Sequence, residues 1–170
     1  MMKYHMIVTW LVLCFSVNLA FAGAPRLDET CVDRDKRPVP TRYETSKRPF
    51  AAAARPPVRK SESQSPYVIY VNPDIYFLSG ETQQWLYLRQ CVQIQADRVV
   101  DPDNSRGINI ADEEDADCLA AREMLKIKGS QRMLYSIERD IERIDERRWS
   151  QVLYGPVRRV PLAKCLSAAR

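Results

Sequence analysis

The chain has 170 residues, with 26 Lys and Arg against 22 Asp and Glu, and a single histidine, His5. That length allows one domain with a modest core. A lone histidine at position 5 leaves the rest of the chain without an imidazole, which excludes Ser-His-Asp or Cys-His catalysis and haem ligation there.

Residues 1–22 place one lysine, Lys3, before an apolar run ending in Ala20-Phe21-Ala22. A basic start, a hydrophobic stretch and a small-x-small ending predict an export signal cleaved after Ala22, since cleavage after Ala24 would set Pro25 directly beyond the cut. An uncleaved anchor is the alternative reading of the same run. No later stretch is apolar for long enough to cross a bilayer, so the mature chain is expected in the periplasm or secreted, without a transmembrane span. His5 and Cys14 leave with the signal.

Residues 23–66 contain Pro25, Pro38, Pro40, Pro49, Pro56, Pro57 and Pro66 among Arg, Lys, Ser and Ala. This composition predicts a flexible, disordered, partly polyproline arm, either a spacer or a docking strip for an acidic surface. Residues 23–65 carry 10 basic and 6 acidic side chains, against 15 and 16 in 66–170. The excess positive charge thus belongs to the arm, and the absence of a basic folded face excludes nucleic acid as a partner.

The folded domain is expected over 67–170. Tyr67–Val71 is β-branched and aromatic and predicts a strand, ended by Asn72-Pro73-Asp74. Tyr76, Phe77 and Leu78 are expected in the core, and Ser79 is placed to cap the next helix. Trp85, Leu88 and Val92, flanked by Leu86 and Ile94, predict a helix over Gly80–Asp97, although Arg89, Gln90, Cys91 and Gln93 interrupt its apolar pattern. After a loop at Val99–Gly107, a second helix is expected over Asp112–Lys128, closed by Gly129, with Ala116, Leu119, Ala120, Met124 and Leu125 inward. A third is expected over Ser130–Arg148, where Met133, Leu134, Ile137, Ile141 and Ile144 repeat at helical spacing. The tail, Val152–Cys165, should wrap back onto the domain. The fold class is therefore α+β: a mostly helical, disulfide-stabilised core with a short sheet.

The four mature cysteines, Cys31, Cys91, Cys118 and Cys165, imply two disulfides, with three pairings open. They lack the Cys-x-x-Cys hook of a zinc site. A free, reactive Cys91 would have no histidine to activate it. Asp112, Glu113, Glu114, Asp115 and Asp117 form an acidic cluster at a helix start, where negative charge is favourable in any case. Glycoside chemistry would need two carboxyl groups about 5–9 Å apart across a cleft, and a dedicated calcium site would need a fuller set of oxygen ligands.

The order of strand, Val71-Asn72-Pro73, Ser-led helix and Glu/Asp/Ala-rich helix resembles the core of small exported gluzincin-type zinc metallopeptidases over residues 67–128. In that family the first helix carries the zinc-binding His-Glu-x-x-His, and a later Glu-x-x-Ala-Asp supplies the third ligand. Here QQWLYLRQCVQ lies over the first motif and EEDADC over the second. The resemblance sets Arg89 and Gln93 at the zinc histidines, Gln90 at the general-base glutamate, Glu113 at the glutamate ligand and Asp117 at the supporting aspartate. It also implies that Cys91 lies close to Cys118, leaving Cys31 to pair with Cys165, and that Arg89 faces Glu113 where the metal would stand.

Those substitutions remove the chemistry. Arginine has a fixed positive charge and no lone pair, and glutamine is a weak ligand and no base near neutral pH. The expectation is therefore a pseudoenzyme without metal or cofactor, acting as a protein-binding or structural module with a protein partner in the cell envelope. The alternatives are a hydrolase with an atypical metal or carboxylate site, and a secreted inhibitor-like partner protein.

Overall fold

The computed structural model of the chain describes residues 27–45, 51–54, 65–99 and 109–169. The expected signal segment and cleavage point, and most of the Val99–Gly107 loop, lie outside the described residues.

Three short strands form a mixed sheet: β1 (Thr41–Tyr43), β2 (Ala51–Ala54) and, between them, β3 (Tyr67–Val71). β1 runs parallel to β3 with Thr41 opposite Ile69, and β2 antiparallel with Ala51 opposite Tyr70. Val68, Ile69 and Val71 are all buried, so both faces of β3 are covered, as suits its β-branched sequence.

Much of the expected arm is thus part of the domain. Residues 41–43 and 51–54 are sheet strands, and 31–39 form a compact loop closed by a bridge between Val32 and Pro38. Asp33 organises that loop, its Oδ1 accepting from the backbone N–H of Asp35 and Arg37, both at 2.9 Å. Strand pairing joins backbone groups that no side-chain pattern reports, and this is why a proline-rich composition read as loose chain conceals two strands. Residues 46–50 and 55–64 of the expected arm lie outside the described residues.

A 3-10 turn at Pro73–Phe77 follows β3 and leads into α1 (Gly80–Gln95). Ile75 and Leu78 are buried, whereas Phe77, expected in the core, is 46% exposed beneath the guanidinium of Arg148. The side chain of Tyr76 lies outside the described residues. Ser79 caps α1 as expected, its Oγ accepting from Thr82 N–H at 3.3 Å. Asp140 reinforces this end from a distant helix, accepting from Ser79 N–H at 3.1 Å and from Thr82 Oγ1 at 2.8 Å. Trp85, Leu86 and Tyr87 are consecutive and fully buried, so α1 is enclosed on several sides; it packs against α2, α3, β2 and β3.

α2 spans Ile110–Lys128, with Asn109 as N-cap and Gly129 (φ 67°) in the left-handed conformation that ends the helix. Ala116, Ala120, Ala121 and Met124 face inward, and the small alanine side chains let α2 approach α1 closely. Leu119, expected on that face, is 39% exposed. The buried stripe runs instead through Glu113, Ala116, Asp117 and Ala120, one position around the helix.

The expected third helix is two: α3 (Gln131–Glu142) and α4 (Glu146–Val152). Arg143 and Ile144 donate to Asp140 and Ile141, three residues back, and Asp145 then caps α4 by accepting from Arg148 N–H at 2.9 Å. Ile144 stays buried through the break, so the apolar repeat runs on where the helix stops. An aspartate is worth more as a cap than in a helix interior, and that local preference divides the segment. The tail returns over α2 and ends in a 3-10 segment, Leu162–Ala169. Among the described residues the fold is thus of the expected α+β class, a mostly helical core with a short sheet and two disulfides, with four helices in place of the expected three.

Candidate functional site

The polar residues of α1 divide by helical phase. Trp85, Arg89 and Gln93 recur every four residues and face α2. Arg89 is fully buried, its Nη2 donating to Glu113 Oε2 and its Nε donating to Asp117 Oδ1 at 2.6 Å. Gln93 Nε2 donates to Glu113 Oε1 at 3.0 Å, and Trp85 Nε1 to the Asp117 carbonyl at 3.3 Å. Arg158, from the tail, completes the cluster with Nη2 2.6 Å from Asp117 Oδ2. Two guanidinium groups therefore balance two carboxylates in a site where Glu113 and Asp117 are 3% and 4% exposed.

Burial alone would pull the Arg89 pKa down. The adjacent charges of Asp117 and Glu113, with their hydrogen bonds, outweigh it and hold Arg89 above its ordinary value. Arg89 is a permanent cation at the centre of the site.

Of the five expected site positions, Arg89, Gln93, Glu113 and Asp117 thus meet in one network. Gln90 is buried next to them on α1. Asp112, Glu114 and Asp115, from the same acidic run as Glu113 and Asp117, turn outward. Asp112 and Asp115 lie 3.3 and 3.5 Å from Arg98 Nη1 at the surface. Every carboxylate of the run that reaches the interior is thus engaged by arginine.

The residues do not suit a zinc ion. Arg89 places positive charge on the oxygens of Glu113 and Asp117 that would approach a cation, and Gln93 turns its amide N–H, not its oxygen, to Glu113. Among the described residues no group of three or more His, Cys, Asp or Glu side chains is arranged to hold a metal ion.

The disulfides differ from the expected pairing. Cys31 is bonded to Cys91 and Cys118 to Cys165, with Cα separations of 5.6 and 5.0 Å. Helical phase explains the difference. Two residues along a helix turn a side chain by roughly 200°, so if Arg89 and Gln93 face α2, Cys91 between them must point the other way. There it meets the segment that precedes the sheet. Gln84 and Gln95 share this second face: Gln84 Oε1 accepts from Asp28 N–H at 2.7 Å and its Nε2 donates to the Asp28 carbonyl at 3.3 Å, while Gln95 Nε2 donates to the Val32 carbonyl at 3.2 Å.

Nothing in the sequence singles out Arg158, because the tail has no periodicity to mark an inward position; Arg158 and Arg159 read alike, yet Arg159 is exposed beside Glu142. Comparison of the chain with known protein families, with curated proteins and with solved structures finds no match.

Proposed function

We propose that the chain is an exported, non-catalytic protein whose core derives from a gluzincin-type metallopeptidase, and that it acts as a protein-binding or structural module of the cell envelope. The observation that carries this reading is the placement of Arg89 between Glu113 and Asp117. These residues stand where the resemblance sets a zinc histidine, the glutamate ligand and the supporting aspartate. An ion-pair cross-link between α1 and α2 then takes the structural part of the metal's role, while nothing at positions 90 or 93 can replace its chemistry.

One further observation supports export: both disulfides suit an oxidising compartment. No helix among the described residues is long and apolar enough to cross a membrane. The binding partner in this reading is another envelope protein.

The test has two arms. The mature chain should carry no stoichiometric zinc and should leave unfolded protein substrates intact; one tightly held zinc per chain, or cleavage, overturns the reading. Restoring the family residues with Arg89→His, Gln90→Glu and Gln93→His should create a site that binds one zinc, because positions 89 and 93 both address Glu113. A refolded triple variant with no zinc affinity would break the link to metallopeptidases while leaving the ionic cross-link itself intact as a finding.

A further inference from the structure

Residues 153–165 form a strap over α2 whose Leu153, Val160 and Leu162 are buried in the core, and which is fastened besides at two neighbouring residues of that helix. Arg158 is paired with Asp117, and Cys165 is bonded to Cys118. Two lesser ties lie close to the disulfide: Arg122 Nη2 donates to the Cys165 carbonyl at 3.3 Å, and Ala163 N–H to Glu138 Oε1 at 2.7 Å.

Side-chain exposure rises outward through the charge cluster, from 0% at Arg89 and 3% at Glu113 to 5% at Asp117 and 12% at Arg158. Arg158 is therefore its outermost member and shields Asp117 on the strap side. Its own position is incompletely compensated. Beyond the Asp117 pair it lies 5.8 Å from the Trp149 ring centroid, but its Nε and Nη1 are buried without a hydrogen-bond partner among the described residues. In water all of these donors would be hydrated, so leaving the cluster restores bonds that the closed position withholds. The Cys118–Cys165 bond opposes departure by keeping the strap beside α2 and Arg158 at high effective concentration near Asp117.

We propose that this strap is a redox-released latch. A protein dithiol attacks the Cys118–Cys165 bond through one thiolate, forming a mixed disulfide, and its second thiol displaces the remaining cysteine. The dithiol leaves as its own disulfide, and Cys118 and Cys165 become thiols, having gained two electrons and two protons between them. Arg158 then moves to solvent and Asp117 is uncovered, still paired with Arg89. Access favours attack at Cys118, which is half-buried, whereas Cys165, Cys31 and Cys91 are all buried, so the tie between α1 and the N-terminal segment outlasts the latch.

The mature, oxidised chain titrated with dithiothreitol, then alkylated and mapped by mass spectrometry, should show label at Cys118 and Cys165 before Cys31 and Cys91. In that partly reduced chain, amide exchange over 153–165 should accelerate about tenfold or more while α1 keeps its protection. The variant Cys118→Ser with Cys165→Ser should show the same exchange pattern without reductant. Reduction of Cys31–Cys91 first, an unchanged strap after Cys118–Cys165 opens, or loss of protection throughout the domain overturns the latch. A double-serine chain that fails to fold overturns it equally, because release must leave the domain standing.

Discussion

The two polar faces of α1 are held by different physics. Trp85, Arg89 and Gln93 join α2 through buried charge, and Gln84, Cys91 and Gln95 join residues 28–32 through a covalent bond and neutral amides. The charged face is conditional: each guanidinium is tolerable only while its carboxylates are present, so removing one group exposes the desolvation cost of the others. The neutral face is not. A disulfide acts largely by restricting the unfolded chain, and its loss leaves the native contacts around it in place. One helix therefore carries a tie that fails as a unit beside a tie that fails by increments.

The sharpest way to break this contrast is Glu113→Gln. It leaves Arg89 fully buried with Asp117 as its remaining carboxylate, and Asp117 is shared with Arg158. The expected loss is about 3–5 kcal/mol in unfolding free energy, read by urea or thermal denaturation. Adding Arg89→Met should recover most of it, since the uncompensated charge goes and Asp117 keeps Arg158. A single variant that unfolds like the parent would show that the cluster is not conditional.

The neutral face should yield less. Replacing Cys31 and Cys91 together by serine is expected to cost about 2–4 kcal/mol, with the α1–α2 cluster unaltered. Combining this pair with Glu113→Gln should give nearly additive losses, because the faces lie on opposite sides of the helix and share no partner. Strong coupling between them would mean that α1 transmits strain from one face to the other.

Parts of this contrast are legible in the sequence and parts are not. The apolar spacing of α1, the Ser79 cap, the Gly129 stop and the strand at Tyr67–Val71 follow from local chemistry, and the structure has them all. The meeting of Arg89 with Glu113 follows from laying two motifs over a family's site. Helical phase also bears on the disulfide pairing, for Cys91 cannot share a face with both Arg89 and Gln93. The pairing that the resemblance implies sets Cys91 on the α2 side, and helical phase contradicts it. β1 and β2 are another matter: their register is set by backbone pairing with β3, which leaves no mark on a proline-rich stretch. The break between α3 and α4 is hidden for the opposite reason, since the apolar repeat continues through it. Arg158 is invisible because an aperiodic tail assigns no inward direction.

The end of α1 offers the smallest and most selective test, since it is held by α3 and by neither polar face. Burial works against the Asp140 charge, but hydrogen bonds from Ser79 and Thr82, with Arg143 nearby, overcome it and hold the carboxyl below its ordinary value near 3.8. The folded state therefore gives up this proton at lower pH than the unfolded chain. Its contribution is complete above the ordinary value and is lost as pH falls through the folded one. Asp33 is depressed in the same direction, by hydrogen bonds from Arg37 and Ser65 that outweigh burial, so the parent chain alone mixes two sources of acid sensitivity. Comparing it with Asp140→Asn separates them. The variant should be less stable by about 1 kcal/mol at neutral pH, where an amide oxygen accepts the same bonds without charge. The gap should narrow only as pH falls below about 4, as the carboxylate titrates. A gap constant down to the acid limit would assign the loss to altered packing at Ser79 and Thr82, and would remove charge from the account of how this helix end is held.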